Sequence, residues 1–260
     1  MVIYLSLKSP TDLFEEAKII HKADSRGSAE HGWLHSFHTF SFADYYDRER
    51  MGFGKLWVLN DDVVQAGQGF GTHSHDNMEI ISIPLSGSLR HEDSMGNSYV
   101  IRTGEIQVIS AGSGITHSEF NNSDSDEVNF LQIWVMPAKQ DVRPHSDQKY
   151  FDPAAATNRF QLVVSPDGRD GSLVINQDAY FSLAFIGKGE TVTCDIHTPG
   201  NGVYYLYWTA RSRLLVSHCK SAMPSAWRIR IRSLFLQPGK AGSCAWRFPC
   251  TNLPLHCFYQ

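Results

Sequence analysis

Residues 33–136 form a series of short runs rich in Val, Ile, Phe, Tyr and Trp, each closed by a cluster of Gly, Asn, Asp and Ser. Lys55-Leu-Trp-Val-Leu59, Met78-Glu-Ile-Ile-Ser-Ile83, Ile106-Gln-Val-Ile109 and Asn129-Phe-Leu-Gln-Ile-Trp-Val135 are such runs, and Asp93-Ser-Met-Gly-Asn97 and Ala111-Gly-Ser-Gly114 are such breaks. β-branched and aromatic residues pack well on a pleated surface, and many short strands at this spacing specify a sandwich or a barrel. The segment 137–156 is polar, contains two prolines besides Pro137, and reads as a linker. The strand-like rhythm then returns in Phe160-Gln-Leu-Val-Val164, Ser172-Leu-Val-Ile175, Tyr180-Phe-Ser-Leu-Ala-Phe-Ile186 and Thr191-Val-Thr-Cys-Asp-Ile196. An all-β chain of two domains is expected, 1–144 and 145–260. A short helix is expected before them over residues 9–21, with Thr11 as cap, Glu15 and Glu16 in the first turns, and Leu13, Ile19 and Ile20 as its apolar side.

The chain is long enough for two such units, and its 42% hydrophobic content supports a core and excludes a disordered chain. No stretch approaches the roughly 20 apolar residues of a membrane span. The first eight residues lack a basic segment ahead of an apolar one, so the expected location is the cytosol.

Chemistry is concentrated in two segments, Gly67-Gln-Gly-Phe-Gly-Thr-His73-Ser-His75-Asp-Asn-Met-Glu79 and Gly112-Ser-Gly-Ile-Thr-His117-Ser-Glu119-Phe-Asn121. On a strand, residues i and i+2 share a face. His73 can therefore point with His75, and His117 with Glu119. If both strands line one barrel, three imidazoles and a carboxylate converge on a mixed N/O site suited to iron, manganese, nickel, copper or zinc. Four ligands leave positions for water, dioxygen or a chelating substrate, which is the open arrangement that catalysis needs.

The first segment resembles the first cupin motif at Gly67, His73, His75 and Glu79, with Gly87 one residue late. The second resembles the other cupin motif at His117 and Asn121, with Ser110-Ala-Gly112 in its turn. More specifically, His31-Gly-Trp33, His38-Thr-Phe-Ser-Phe42, Gly71-Thr-His-Ser-His75, His91-Glu-Asp-Ser-Met-Gly-Asn97, Ser110-Ala-Gly-Ser-Gly-Ile-Thr-His-Ser-Glu119, Gln132-Ile-Trp134 and Ser165-Pro-Asp-Gly-Arg-Asp-Gly-Ser172 together resemble the pirin family. That resemblance implies two tandem cupin barrels of the jelly-roll kind. It also implies one metal ion in the first barrel, held by His73, His75, His117 and Glu119. Glu79 is then a neighbour that orients a ligand, or else a solvated outward residue. His31, His35 and His38 lie outside both motifs and are read as surface or core histidines. Trp33, Phe37, Phe40 and Phe42 are read as barrel packing rather than substrate stacking. The second barrel has no His-x-His, with His197 standing alone among its strand-like runs, and an expected role in covering or bracing the first.

The resemblance further implies a dioxygenase of the quercetin 2,3-dioxygenase kind. Fe(II) would chelate a flavonol-like aromatic substrate, dioxygen would open it, and Glu119 would take the hydroxyl proton while serving as ligand. The competing reading is a non-enzymatic, iron-dependent redox regulator that binds a protein partner. A third is a barrel that binds metal but has lost activity. All 27 acidic residues lie at or before Asp195, against 15 Lys and Arg there, which argues against direct nucleic-acid binding.

After about residue 206 the sequence changes character. The last 65 residues hold eight basic residues and no acid, and all five cysteines fall between Cys194 and Cys257, with no zinc-ribbon spacing. Trp227-Arg-Ile-Arg-Ile-Arg232 could be a genuine basic strand. The genetic code offers another account. Joining the third base of each codon from Tyr207 to the first two of the next permits Leu-Asp-Gly-Glu-Val-Glu-Val-Ala-Gly, an acidic strand-and-turn sequence of the sort that would close such a barrel. A shifted reading frame is the favoured account, with a second barrel that lacks its own last strands.

Overall fold

The computed structural model describes residues 2–8, 17–195, 201–209, 212–220, 228–232 and 255–256. The amino-terminal strands are β1 (Val2–Lys8), β2 (Ala17–His21), β3 (Gly27–Glu30), β4 (Leu34–His38), β5 (Leu56–Val64), β6 (Gly69–His75) and β7 (Glu79–Ser86). They are followed by β8 (Ser88–Asp93), β9 (Ser98–Arg102), β10 (Glu105–Ser110), β11 (Ile115–Asn121), β12 (Val128–Val135) and β13 (His145–Tyr150). The remainder are β14 (Gln161–Ser165), β15 (Leu173–Val174), β16 (Ala179–Ala184), β17 (Thr191–Asp195), β18 (Asn201–Thr209), β19 (Ser212–Lys220), β20 (Arg228–Arg232) and β21 (Leu255–His256). Among the described residues, helix is confined to three 3-10 turns, Ala23–Ser25, Pro153–Ala156 and Arg169–Gly171. No helix among them is long and apolar enough to cross a membrane.

A seven-stranded sheet, β13-β10-β7-β12-β5-β4-β3, and a four-stranded sheet, β6-β11-β8-β9, make the first barrel. The two faces of the larger sheet follow directly from strand alternation. Leu59, Ile133, Ile81 and Val108 are paired in register across β5, β12, β7 and β10. This apolar row joins one cluster with Val163, Phe181, Leu183 and Tyr204 of the second half, so the barrels share a core. One residue along, His38, Asn60, Gln132, Ser82 and Gln107 form the next row. It is polar and buried, and it faces the interior of the first barrel. Burial on both faces explains why β7 reads as an almost unbroken apolar run.

Two features differ from the sequence reading. The end of the expected helix, Ala17–His21, is a strand that pairs with β19, while 9–16 lies outside the described residues. A sheet edge open to a neighbour overrides a weak local helix preference, and Ile19 and Ile20 suit a strand. The second is the division at 144/145. β13, inside the expected linker, pairs with β10 on the first sheet, and β1 lies between β16 and β18 in the second half's seven-stranded sheet, β15-β14-β16-β1-β18-β19-β2. The strands are thus exchanged across that boundary by long-range pairing. In the basic tail, Arg228–Arg232 is a strand paired with β17. His197, Cys244, Cys250 and Cys257 lie outside the described residues, as does most of the tail beyond residue 220.

Candidate metal centre

β6 and β11 run antiparallel, with His73 opposite His117 and His75 opposite Ile115. The ring centroids stand 4.9 Å apart for His73–His75, 4.5 Å for His73–His117 and 5.0 Å for His75–His117. One potential ligand atom from each of the three lies within 4.8 Å of the others. Between His117 and Glu119 the register slips, so that Glu119 faces Phe70. Gly69 makes the slip feasible: a Cβ there would collide with the Glu119 carbonyl and the Phe120 Cα. Asn121, the remaining cupin-motif residue, braces the end of β11 by donating to the carbonyls of Val64 (3.1 Å) and Asp126 (2.7 Å).

Glu119 belongs to a second group, with His91 and His117, inside the same 4.8 Å span. The four expected ligands therefore meet through His117: the imidazoles form one tight set, and the carboxylate approaches from the His91 side rather than beside His73 and His75. Its orientation is held from the opposite sheet. Gln132 Nε2 donates to Oε2 at 2.7 Å. The single Ser82 hydroxyl proton is shared between Glu119 Oε1 at 3.0 Å and Gln132 Oε1 at 3.2 Å. Burial raises the Glu119 pKa, against the pull of His91, Ser82, His73 and Gln132.

His117 is buried, and neither of its ring nitrogens has a protein partner. Burial, followed by the charges of His73, His75 and His91, holds its pKa down at about 3. Burial and then His73 hold His75 at about 4. Both rings are neutral at physiological pH, with lone pairs available. His73 Nδ1 lies 2.8 Å from the Gly71 carbonyl, which assigns the proton to Nδ1 and leaves Nε2 to accept. Buried imidazole nitrogens with nothing to bond, beside a fixed carboxylate, are the donor set of a transition-metal site. The residues fit such an ion.

The sequence reading gave His91 no role. It is buried, with Nε2 3.2 Å from Asp93 Oδ2. Asp93 in turn accepts from the Met95 N–H, the Asn97 N–H and the Asn97 side chain. Burial alone would raise the Asp93 pKa, but Asn97, His91 and Met95 together lower it. The spacing His91-Glu-Asp93 repeats the i, i+2 pattern of the other two pairs and was the available signal.

Glu79 matches neither alternative expected of it. It is fully buried, and Oε2 accepts from Ser110 Oγ at 2.6 Å and from the Asn176 N–H at 3.1 Å. The alternation of β7 turns it toward the second half of the chain, where it ties the barrels together. Burial raises its pKa, and the bonds from Ser110 and Asn176 oppose that rise.

The imidazoles open onto a cavity of about 650 Å³ lined by His73, His75 and Glu119. Trp33, Phe42, Phe70 and Trp134 give it aromatic walls, so Trp33 and Phe42 are cavity residues as well as packing residues. Trp134 meets His75 edge-on, with centroids 4.9 Å apart. Phe40 is core, against Tyr204, and Phe37 lies under the Arg26 guanidinium. Among the histidines set aside, His31 and His38 line the cavity, and His35 stands 3.6 Å from Glu30. Ser36, Asn60 and Asp62 complete a polar wall. Burial drives Asp62 up to about 7, with the charges of Asp61 and Glu119 adding and the Ser36 hydroxyl opposing.

Residues 20–135 match the family model described as Pirin, and 162–210 match one described as the quercetinase C-terminal cupin domain. A quercetin 2,3-dioxygenase of Escherichia coli K12 is 53% identical over 159 residues, which is 61% of this chain and 68% of that protein. A putative quercetin 2,3-dioxygenase of Pseudomonas aeruginosa is 41% identical over 65% of this chain and 72% of its own length. The crystal structure of the bacterial pirin YhhW from E. coli in complex with nickel(II) superposes with a TM-score of 0.67 at 39% identity, covering 79% of this chain and 95% of that one.

Proposed function

The chain belongs to the pirin family, and on that premise we propose that it is a metal-dependent dioxygenase of the quercetin 2,3-dioxygenase type. In this reading His73, His75, His117 and Glu119 hold one divalent transition metal ion, Fe(II), and the substrate is a flavonol-like aromatic opened by dioxygen. The observation that carries it is His117: a buried, neutral imidazole without a partner, packed on His73 and His75, which line an aromatic-walled cavity. When bound, the ion would supply Lewis acidity that lowers the pKa of a substrate hydroxyl. Glu119, whose own pKa burial raises, would take that proton at a carboxylate oxygen. Ser82 and Gln132 keep the carboxylate turned to the cavity while it does so. Trp33, Phe42, Phe70 and Trp134 hold the aromatic ring and keep water from it. His91 and Asp93 brace the far side of His117 and Glu119. The amino-terminal barrel carries the chemistry, and the second barrel covers and braces it.

The test is oxygen uptake with a flavonol, using protein purified without a metal-affinity tag and loaded with iron. Uptake that disappears in His73→Ala supports the enzyme. No uptake with iron, manganese, nickel, copper or zinc, together with redox-dependent capture of a protein partner, would replace it with the regulator.

A further inference from the structure

Opposite the histidines, strands β4 and β5 form a wall whose polar atoms are unmatched. In register, Ser36 faces Asp62 and His38 faces Asn60, and all four residues line the cavity and are buried. His38 Nδ1, Asn60 Oδ1 and Asp62 Oδ1 have no protein hydrogen-bond partner. The neighbouring Asp61 lies on the other face of β5, where it accepts from Arg26 at 3.2 Å and from Asn129 at 2.7 Å. The unmatched set thus sits in the middle of an otherwise apolar strand. Buried acceptors without donors destabilise a fold, so a row of them on a cavity wall calls for a ligand that brings the donors.

The chemistry of that ligand can be narrowed. Two of the three atoms are oxygens of a carboxyl and a carboxamide, which accept from hydroxyl groups. Burial holds the His38 pKa down, as do His31 and Arg26, which favours a neutral donor over a cationic one. Trp33, Phe42, Phe70 and Trp134 line the same cavity and suit an aromatic body.

We propose that Asn60 and Asp62, with His38, form a subsite that accepts hydrogen bonds from hydroxyl groups of a substrate lying in the cavity. The cavity would therefore select polyhydroxylated aromatics over their less hydroxylated analogues. This subsite rests on the reading that an aromatic substrate enters here, and it names what decides among such substrates.

The test is a matched pair of ligands, 3-hydroxyflavone and 3,3′,4′-trihydroxyflavone, titrated calorimetrically into the metal-loaded protein. The trihydroxy compound is expected to bind about tenfold more tightly or better, because the analogue leaves buried acceptors unpaired. Asn60→Ala and Asp62→Ala are each expected to erase most of that ratio, measured against 3-hydroxyflavone on the same variant. Either variant suffices if the other fails to fold. Equal affinities in the wild type, or a ratio that survives in the folded variants, overturns the subsite. Because binding is read without turnover, a clear preference with no oxygen uptake sinks the dioxygenase reading alone. Uptake without any preference sinks the subsite alone, and failure of both flavones to bind sinks both.

Discussion

Replacing Asp62 by Asn is expected to stabilise the protein above neutral pH while changing little in acid. The carboxyl lies in the middle of β5, enclosed, and its pKa stands at about 7 against an ordinary 3.8. About three pKa units correspond to roughly 4 kcal/mol of free energy between the protonation states. The sign follows from where each state gives up the proton. Below 3.8 the side chain is protonated both folded and unfolded, and nothing is lost. As the pH rises from 3.8 to 7 the unfolded chain releases the proton and the folded one keeps it, so unfolding becomes steadily more favourable. Above 7 the full penalty applies. Asparagine has the same shape and cannot ionise. The stability gap between variant and wild type should therefore open from near zero at pH 4 to as much as about 4 kcal/mol at pH 8. Urea unfolding at five pH values, with equal metal content, measures it. A flat gap, or a wild type that overtakes the variant as the pH rises, would show that the carboxylate is ionised and well partnered, and would refute the reasoning.

Other outcomes follow from the same geometry. Gln132→Leu removes the donor on Glu119 Oε2 and should weaken metal binding about 10- to 100-fold in a chelator competition; an unchanged affinity removes Gln132 from the site. Glu79→Ala should lower stability by about 1–3 kcal/mol, read as a fall in melting temperature, because the Asn176 N–H and the Ser110 hydroxyl lose their acceptor; an unchanged melting temperature would show that Glu79 does not help to hold the barrels together. Resequencing the gene is expected to show a change of frame near codon 207, and an in-frame read with the intact mass of the 29.3 kDa chain ends that account.

The parts of the site legible in the sequence are those that depend on strand period. His73 and His75, and His117 and Glu119, stand two apart, and alternation alone aims each pair at one face. The same period is present in His91-Glu-Asp93 and in Asn60-Asp-Asp62, where polar residues interrupt an apolar strand, but neither pair falls within a cupin motif. What holds Glu119 was not legible. Ser82 and Gln132 reach it from 37 and 13 residues away, through a sheet register that no local pattern encodes. The strand rhythm of 33–136 and 160–196 carried the fold class, because period and residue type mark a strand whatever its partner. The exchange of β1 and β13 depends on pairings across most of the chain, and there local preference in segments such as 9–21 is a poor guide.

The position of Val2–Lys8 also bears on how the molecule comes into being. On the ribosome this segment emerges well ahead of the two strands that flank it, Ala179–Ala184 and Asn201–Thr209. At about 5–20 residues per second it waits on the order of 10–40 s with both edges bare. An early segment is thus the keystone of a sheet completed late, and until it is seated a nascent chain offers any neighbouring ribosome's product an open place to pair.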